Sequence, residues 1–293
     1  MNRRRAFKIR DRGPIFTAVV YIVMFIVLLA CTLPFLYIIA MSFSSSDAIL
    51  KGKVSLFPVD FSVEAYRQIF AYPHFFRAYK NTILYTVCGT AISLVLMVLF
   101  AYPLSKTRLK GQKFVMKLVV FSMFFSGGMI PNYLLISSLG LTGTVFAMIL
   151  PFAINQFNLI ILVNFFKSIP EELEEAARID GLNYFGILIQ ILLPLSTAAL
   201  ATIGLYTAVF FWNDWFYGLI YLNSELFPVM LLLRNIVNGT TMVGEAGGVG
   251  DKASVAIAVK SAVILTSTLP IILLYPFLQK YFVKGMLVGA VKG

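Results

Sequence analysis

The chain has 293 residues, of which 59% are hydrophobic and only 13% charged, whereas a soluble domain carries about 25% charge and about 45–50% apolar residues. Charges are absent from five long stretches, 13–46, 81–105, 118–166, 181–213 and 261–279. A soluble bundle cannot hide that many uncharged segments, so an all-α polytopic membrane protein is predicted. The formal net charge of +11 does not signal nucleic acid, because most of the basic residues fall between apolar segments on one side of the predicted membrane, which makes the charge an orientation signal.

A helix needs roughly 20 apolar residues to cross a hydrocarbon core of about 30 Å. The stretch 118–166 therefore divides into two crossings at Gly140-Leu141-Thr142-Gly143, giving six predicted spans: 16–40, 81–104, 115–137, 145–166, 196–222 and 257–279. Six spans put both termini on one side. That side holds Arg3, Arg4, Arg5, Lys8, Arg10 and Arg12, then Lys106, Arg108, Lys110, Lys113 and Lys117. Lys167, Arg178, Lys280, Lys284 and Lys292 complete sixteen of the 24 basic residues, and the positive-inside rule makes the face cytoplasmic. The domain plan follows: a tail at 1–15, a first span with outer loop at 16–80, a core of five spans at 81–279 and a tail at 280–293.

In chain order, Arg4-Arg5 only loosely matches an export signal, because the apolar segment after it is too long and lacks a cleavage site. Pro34 is placed to kink the first span, and 41–80 is long enough for a small outer cap. The third span carries Ser126-Gly127-Gly128-Met129-Ile130-Pro131. That pattern marks either a break facing protein or a water-filled cavity, or a loosened helix end near the surface. The Gly-rich stretch Gly244–Lys252 lacks a phosphate-loop pattern, and Asn238-Gly239-Thr240 is a weak sequon. Cys31 and Cys88 lie inside spans. His74 is the single histidine, so no metal site is expected.

The connection between spans four and five, 167–195, differs from its surroundings. From Lys167 to Gly181 it holds five acids against two bases on a face that is otherwise basic. Ser168 and Glu171 have capping-box spacing, and Pro170 suits a helix start. The early acids complement the helix dipole, and Glu174 and Arg178 stand at i,i+4. Gly181 is placed to stop the helix in a left-handed conformation. Leu173, Ala176, Ala177 and Asp180 share one small, largely apolar face. From the residues alone this is either a helix seated in another protein's groove or an interfacial helix between two spans.

Glu175-Ala176-Ala177-x-x-Asp180-Gly181, followed by Ile191-x-Leu193-Pro194-Leu195, resembles the EAA motif of ABC-importer permeases. Two positions depart from it: Leu182 replaces a smaller residue, and Ala198 a proline. The tail, Gln279 to Gly285 and Gly289 to Gly293, is similar to that of maltose-type MalG permeases. Phe211-Trp212-Asn213 and Phe165-Phe166-x-x-Ile169-Pro170 also fit the carbohydrate branch. Gly127-Gly128-Met129-Ile130-Pro131-x-Tyr133 and Leu269-Pro270-Ile271 look like the LplC/YtcP subgroup.

The resemblance implies a type I importer permease of the MetI-like or MalG-like fold, in a bacterial inner membrane. It implies that Glu171, Glu174, Glu175, Ala176, Ala177, Asp180 and Gly181 couple to a cytoplasmic ATPase, with Lys284, Gly289, Lys292 and Gly293 contacting it through the tail. The implied partners are a second permease, two ATPase subunits that bind the ATP and magnesium, and an extracellular sugar-binding protein, expected to be a lipoprotein. This chain needs no cofactor of its own.

The polar residues inside spans, Asn155, Gln156, Asn158, Asn213 and Asp214, together with Trp212, are candidates for a sugar path. Bonding between helices accounts for such residues equally well. A gradient-driven transporter would carry ionisable groups at mid-membrane, and only Asp214 comes close. A membrane enzyme would need a catalytic cluster, and none is present. Within ABC importers, peptide or polyamine transport is the alternative.

Overall fold

The computed structural model describes residues 13–246 and 257–273, with side chains up to Gly239 in the first stretch. The described residues are helical apart from turns and one isolated bridge between Ser44 and Phe61. They form two compact units, one running to Ala71 and including Ile236–Thr266, the other comprising Tyr72–Asn235 and the residues from Ser267 onward.

The first unit opens with α1 (Pro14–Ser42), an apolar helix that continues through Pro34. Its 29 residues cover about 44 Å at 1.5 Å per residue, enough to cross a bilayer. The predicted cap follows as α2 (Ser46–Leu50) and α3 (Glu64–Phe70). Ser45 caps α2 through the Ala48 amide, and the Ser44 hydroxyl accepts from the Val59 N–H at 3.1 Å. Phe43 stacks on Phe61 and on Tyr66, which fixes the turn between the two helices.

The second unit is built around α4 (Phe75–Ser105), which packs along α12 (Thr197–Asn213) and α8 (Gln156–Lys167). Met97, Val98, Ala101, Tyr102 and Leu104 of α4 share one core with Leu159, Leu162, Val163 and Phe166 of α8 and Ile203 of α12. Higher on α4, Gly89 lets the α12 ring of Phe211 lie against the backbone, where an added Cβ would stand 2.6 Å from the ring.

Among the described residues only α1 and α4 are unbroken helices of spanning length. The third predicted span is α5 (Gln112–Phe124) and α6 (Met129–Ser138), bent by 116°. The break falls at the Gly-Gly-x-x-Pro pattern, so the helix is interrupted there. The fourth is Phe146–Phe152, comprising α7 (Phe146–Ile149) and a 3-10 turn, joined to α8 at 50°. The fifth meets Tyr184–Leu195 at 81° and stops at Asn213, nine residues before the predicted end at Leu222. There Asp214 starts a separate short helix, α13 (Phe216–Tyr221). α14 (Val229–Ala246) and α15 (Ile257–Leu273) complete the described elements. The second predicted span also begins earlier than its uncharged core, because α4 extends back through Lys80 and Arg77 to Phe75.

We expect Gly89→Val to force the Phe211 ring off α4 at a cost of about 1–3 kcal/mol, typical of overpacking. The purified protein should melt earlier, and adding Phe211→Leu should recover part of the loss.

A candidate coupling site at the basic end of α4

The acidic connection forms α9 (Glu171–Ile179). Glu171, Glu172 and Glu174 in its first turn meet the positive end of the helix dipole. The predicted capping box does not form. Pro170 occupies the N-cap, with no side-chain bond there, and the Ser168 hydroxyl donates to the Phe165 carbonyl at 2.7 Å. Ser168 belongs to the end of α8, so it is turned away from α9.

The C-terminus is as predicted. Gly181 adopts φ +85°, and its N–H donates to Arg178 O while the Leu182 N–H donates to Ala177 O, each at 3.0 Å. This 6→1 and 5→2 pair closes the helix. Leu182, one of the two departures from the motif, packs against the core below.

The expected Glu174–Arg178 pair is not made. Arg178 lies over the Tyr184 ring at 4.8 Å, and Glu174 turns inward to Lys106 at the end of α4. Glu174 is 5% exposed, and Lys106 also sits 5.0 Å from the Tyr102 ring centre. Next to it, Arg108 Nη2 reaches Glu171 at 3.2 Å and Glu175 at 3.3 Å. The turn carrying both bases is itself fixed: Gln112 donates to Leu104 O at 2.9 Å, and the Ser105 hydroxyl donates to Tyr102 O at 2.7 Å. Between the turn and α9 lies a cavity of about 500 Å³, lined by Tyr102, Pro103, Leu109, Tyr184 and these charged groups.

The candidate coupling residues therefore divide into two sets. Glu171, Glu174 and Glu175 hold α9 to the α4–α5 turn, and Ala177 at 3% exposure packs into the core. Ala176 and Asp180 face away, alongside Leu173 at 43% and Ile179 at 87% exposure. Lys106 and Arg108 are the functional residues that sequence reasoning used only for orientation. Their partners lie 68 and 63–67 positions away, and no local pattern announces that pairing. The candidates Lys284, Gly289, Lys292 and Gly293 lie outside the described residues.

The candidate sugar-path residues do not form one site. Asn155 caps α8 by accepting from the Asn158 N–H at 3.0 Å, Asn158 is buried, and Gln156 is partly covered. Trp212 is buried and donates to Ser267 O at 3.1 Å. Asn213 donates back to Val209 O, and Asp214 accepts from the Tyr217 and Gly218 amides at 3.3 and 3.0 Å. Helix capping accounts for Asn155 and Asp214. Asn213 and Asp214 do border a cavity of about 360 Å³ with Tyr206, Phe210 and Trp215. Among the described residues no cluster of three His, Cys, Asp or Glu is placed to hold a metal.

No protein-family model matches the chain. Protein LplC of Bacillus subtilis is 47% identical over 266 residues, covering 89% of each chain. This chain belongs to the ABC-transporter permeases. The polygalacturonan/rhamnogalacturonan transport system permease YtcP of Bacillus subtilis is 45% identical over 290 residues, 96% of this chain and 100% of that one. A chain in the crystal structure of a bacterial ABC transporter involved in the import of the acidic polysaccharide alginate superposes with a TM-score of 0.81 at 36% identity, covering 92% of this chain and 96% of that one. As an ABC permease the protein is a membrane-embedded transport component rather than an enzyme, and within that family it groups with LplC and YtcP.

Removing one partner of a buried ion pair costs about 3–5 kcal/mol, while replacing both by apolar groups of like volume costs far less. Lys106→Met should therefore lower the melting temperature of the purified permease markedly. Lys106→Met with Glu174→Leu should regain most of that loss, read as a coupling energy in a double-mutant cycle.

Proposed function

We propose that the protein is the permease of an ATP-driven importer that moves carbohydrate, in oligosaccharide form, inward across a bacterial cell membrane, and that α9 is where the driving force enters. The observation that carries this reading is the two-sided character of α9. One face is held to the α4–α5 turn by Glu174–Lys106 and the Arg108 pairs. The other presents Leu173, Ala176, Ile179 and Asp180 without a partner among the described residues. A helix fixed rigidly on one side and open on the other transmits displacement instead of absorbing it.

In this reading the chain makes six crossings with both termini in the cytoplasm. The third, fourth and fifth crossings are the bent pairs, and the sixth includes α15. Residues 81–279 form the transport core, with tails at 1–15 and 280–293. A homologous second permease completes the path. Two ATPase subunits bind the ATP and magnesium, and each seats one coupling helix, while the 280–293 tail reaches toward them. A sugar-binding protein outside the membrane delivers the substrate. The names of YtcP and of the alginate transporter support carbohydrate over peptide or polyamine.

ATP-driven closure of the two ATPases would draw the coupling helices together and tilt the bundles from inward- to outward-facing. Moving such an equilibrium from 1:99 to 99:1 takes roughly 5.5 kcal/mol of differential binding. The mount of α9 on α4 and α8 is the route for that energy.

The test is uptake and ATP hydrolysis measured together on the reconstituted complex. Gly181→Pro removes a φ that proline cannot adopt, and Glu175→Lys places a cation beside Arg108. Both should leave the subunits associated, sustain hydrolysis and reduce uptake about tenfold or more. Normal sugar accumulation by both variants would remove the coupling role from α9.

A further inference from the structure

Resting on the carbohydrate-import reading, we propose that Arg234, held face-on against Trp215, is a carboxylate-binding site that selects oligosaccharides containing uronic acid residues. The Arg234 guanidinium carbon stands 3.3 Å from the centre of the Trp215 ring. Its side chain is exposed and forms no salt bridge among the described residues. Of the other arginines with known surroundings in this unit, Arg77 lies 3.8 Å from Glu225 and Arg108 is divided between two glutamates, while Arg178 also lies over a ring, that of Tyr184, at the longer distance of 4.8 Å. Asp214, the carboxylate next to Trp215 in sequence, is committed to the amides of α13. Arg234 is thus a cation held against a ring with no counter-charge among the described residues.

The stacking leaves the useful donors free. A guanidinium lying flat on an indole uses its face, while its N–H groups point outward in its own plane, in the fork that matches a carboxylate. Both members of the pair are positioned in advance. Trp215 follows the capping residue Asp214 at the start of α13. Arg234 lies in the second turn of α14, whose first residue, Val229, donates its N–H to Thr82 Oγ1 of α4 at 2.8 Å. Asn81 and Tyr85 hold the preceding loop by donating to Glu225 O, Phe227 O and Leu226 O.

The surroundings fit a sugar. From Trp215 a file of rings runs through Phe216, Tyr217 and Tyr221 to Tyr133, with successive centres 5.5, 5.6, 6.1 and 6.3 Å apart. Neighbours among the last three rings are within 9° of parallel, and at that end of the file a cavity of about 370 Å³, which touches neither Arg234 nor Trp215, is lined by Asn132, Tyr217 and Tyr221. That volume falls in the usual range of small-molecule sites. Flat aromatic faces accept the C–H faces of pyranose rings, amide and phenol groups bond their hydroxyls, and Arg234 adds the group that distinguishes a uronate from a neutral sugar. The aromatic file has no means of making that distinction.

The experiment uses the complete transporter in proteoliposomes with its binding protein, with trigalacturonate and its carboxyl-reduced counterpart as probes. The wild type should take up the acidic probe faster. Arg234→Gln should slow the acidic probe about tenfold or more, the loss expected from one charged hydrogen-bonded contact, and leave the neutral probe within about twofold. Arg234→Lys, which keeps the charge and loses the planar fork, should fall between. Equal slowing of both probes by Arg234→Gln overturns the proposal, and if the wild type also depends on anionic lipid, the ligand is a headgroup phosphate. An unchanged preference in Arg234→Gln overturns it too. A wild type that moves the neutral probe alone ends the carboxylate site and leaves carbohydrate import standing, while movement of neither probe rejects both.

Discussion

Of the four glutamates on α9 only Glu174 is buried, and the arrangement of the basic end of the bundle follows from the need to neutralise it. An isolated carboxylate withdrawn from water is strongly disfavoured, so Glu174 must be met by a cation delivered to one place. Lys106 stands immediately after α4 and is fixed by the Gln112 and Ser105 bonds that close the α4–α5 turn. Once that pair is made, Arg108 falls beside Glu171 and Glu175, and Ala177 is lowered onto the core formed by α4, α8 and α12. The outer pairs lie in water, where each contributes little. Orientation comes from the buried pair and from the apolar contact beneath it.

The same helix is tied down at its other end by different means. Asn81, Thr82 and Tyr85 bond to the chain between Glu225 and Val229, so the opposite terminus of α4 is held mainly by neutral side chain–backbone bonds, with one long, exposed ion pair between Arg77 and Glu225 beside them. With 31 residues α4 is about 46 Å long. A single unbroken helix therefore links the mount of α9 to the frame that sets Arg234 and the start of α14. The contrast between the ends follows from burial: the buried Glu174 of α9 demands a cation, whereas the loop at 225–229 offers carbonyl oxygens, an amide and only the exposed carboxylate of Glu225.

Much of the site was legible because its signals are local. The acids, Pro170 and Gly181 specify a short capped helix within a dozen residues, and the structure forms it with the predicted stop. What the sequence did not disclose is which way that helix faces. A 3.6-residue period shows that Glu174 and Arg178 share a side, but not that a lysine 68 positions earlier in the chain competes for the carboxylate and wins through burial. The sugar-path candidates illustrate a signal present but given the wrong weight. Asn155 and Asp214 each precede a helical turn, and an Asn or Asp in that place is first of all an N-cap. The apolar length of 196–222 concealed this, because hydropathy counts residues and does not register a change of direction. Arg234 was missed for the opposite reason, since a lone arginine in a mixed segment carries no pattern until the fold places Trp215 against it.

The distribution of broken and unbroken helices gives these local facts a common cause. Backbone groups released at a bend cannot be left facing lipid, so interruptions are tolerated only where protein or water covers them. In the second unit α4 is continuous, while the third, fourth and fifth predicted crossings are bent by 116°, 50° and 81°. At two of these bends a polar side chain sits at or beside the break, Asn155 between the halves of the fourth segment and Ser126 in the third, where its hydroxyl accepts from the Gly128 N–H. Polar residues in these segments are thus first required by the backbone, and only those left over are available for a solute. That ordering separates Arg234, Asn132 and the tyrosine file from Asn155 and Asp214 better than polarity alone, because the bonds of the second group are already spent on the first turns of α8 and α13.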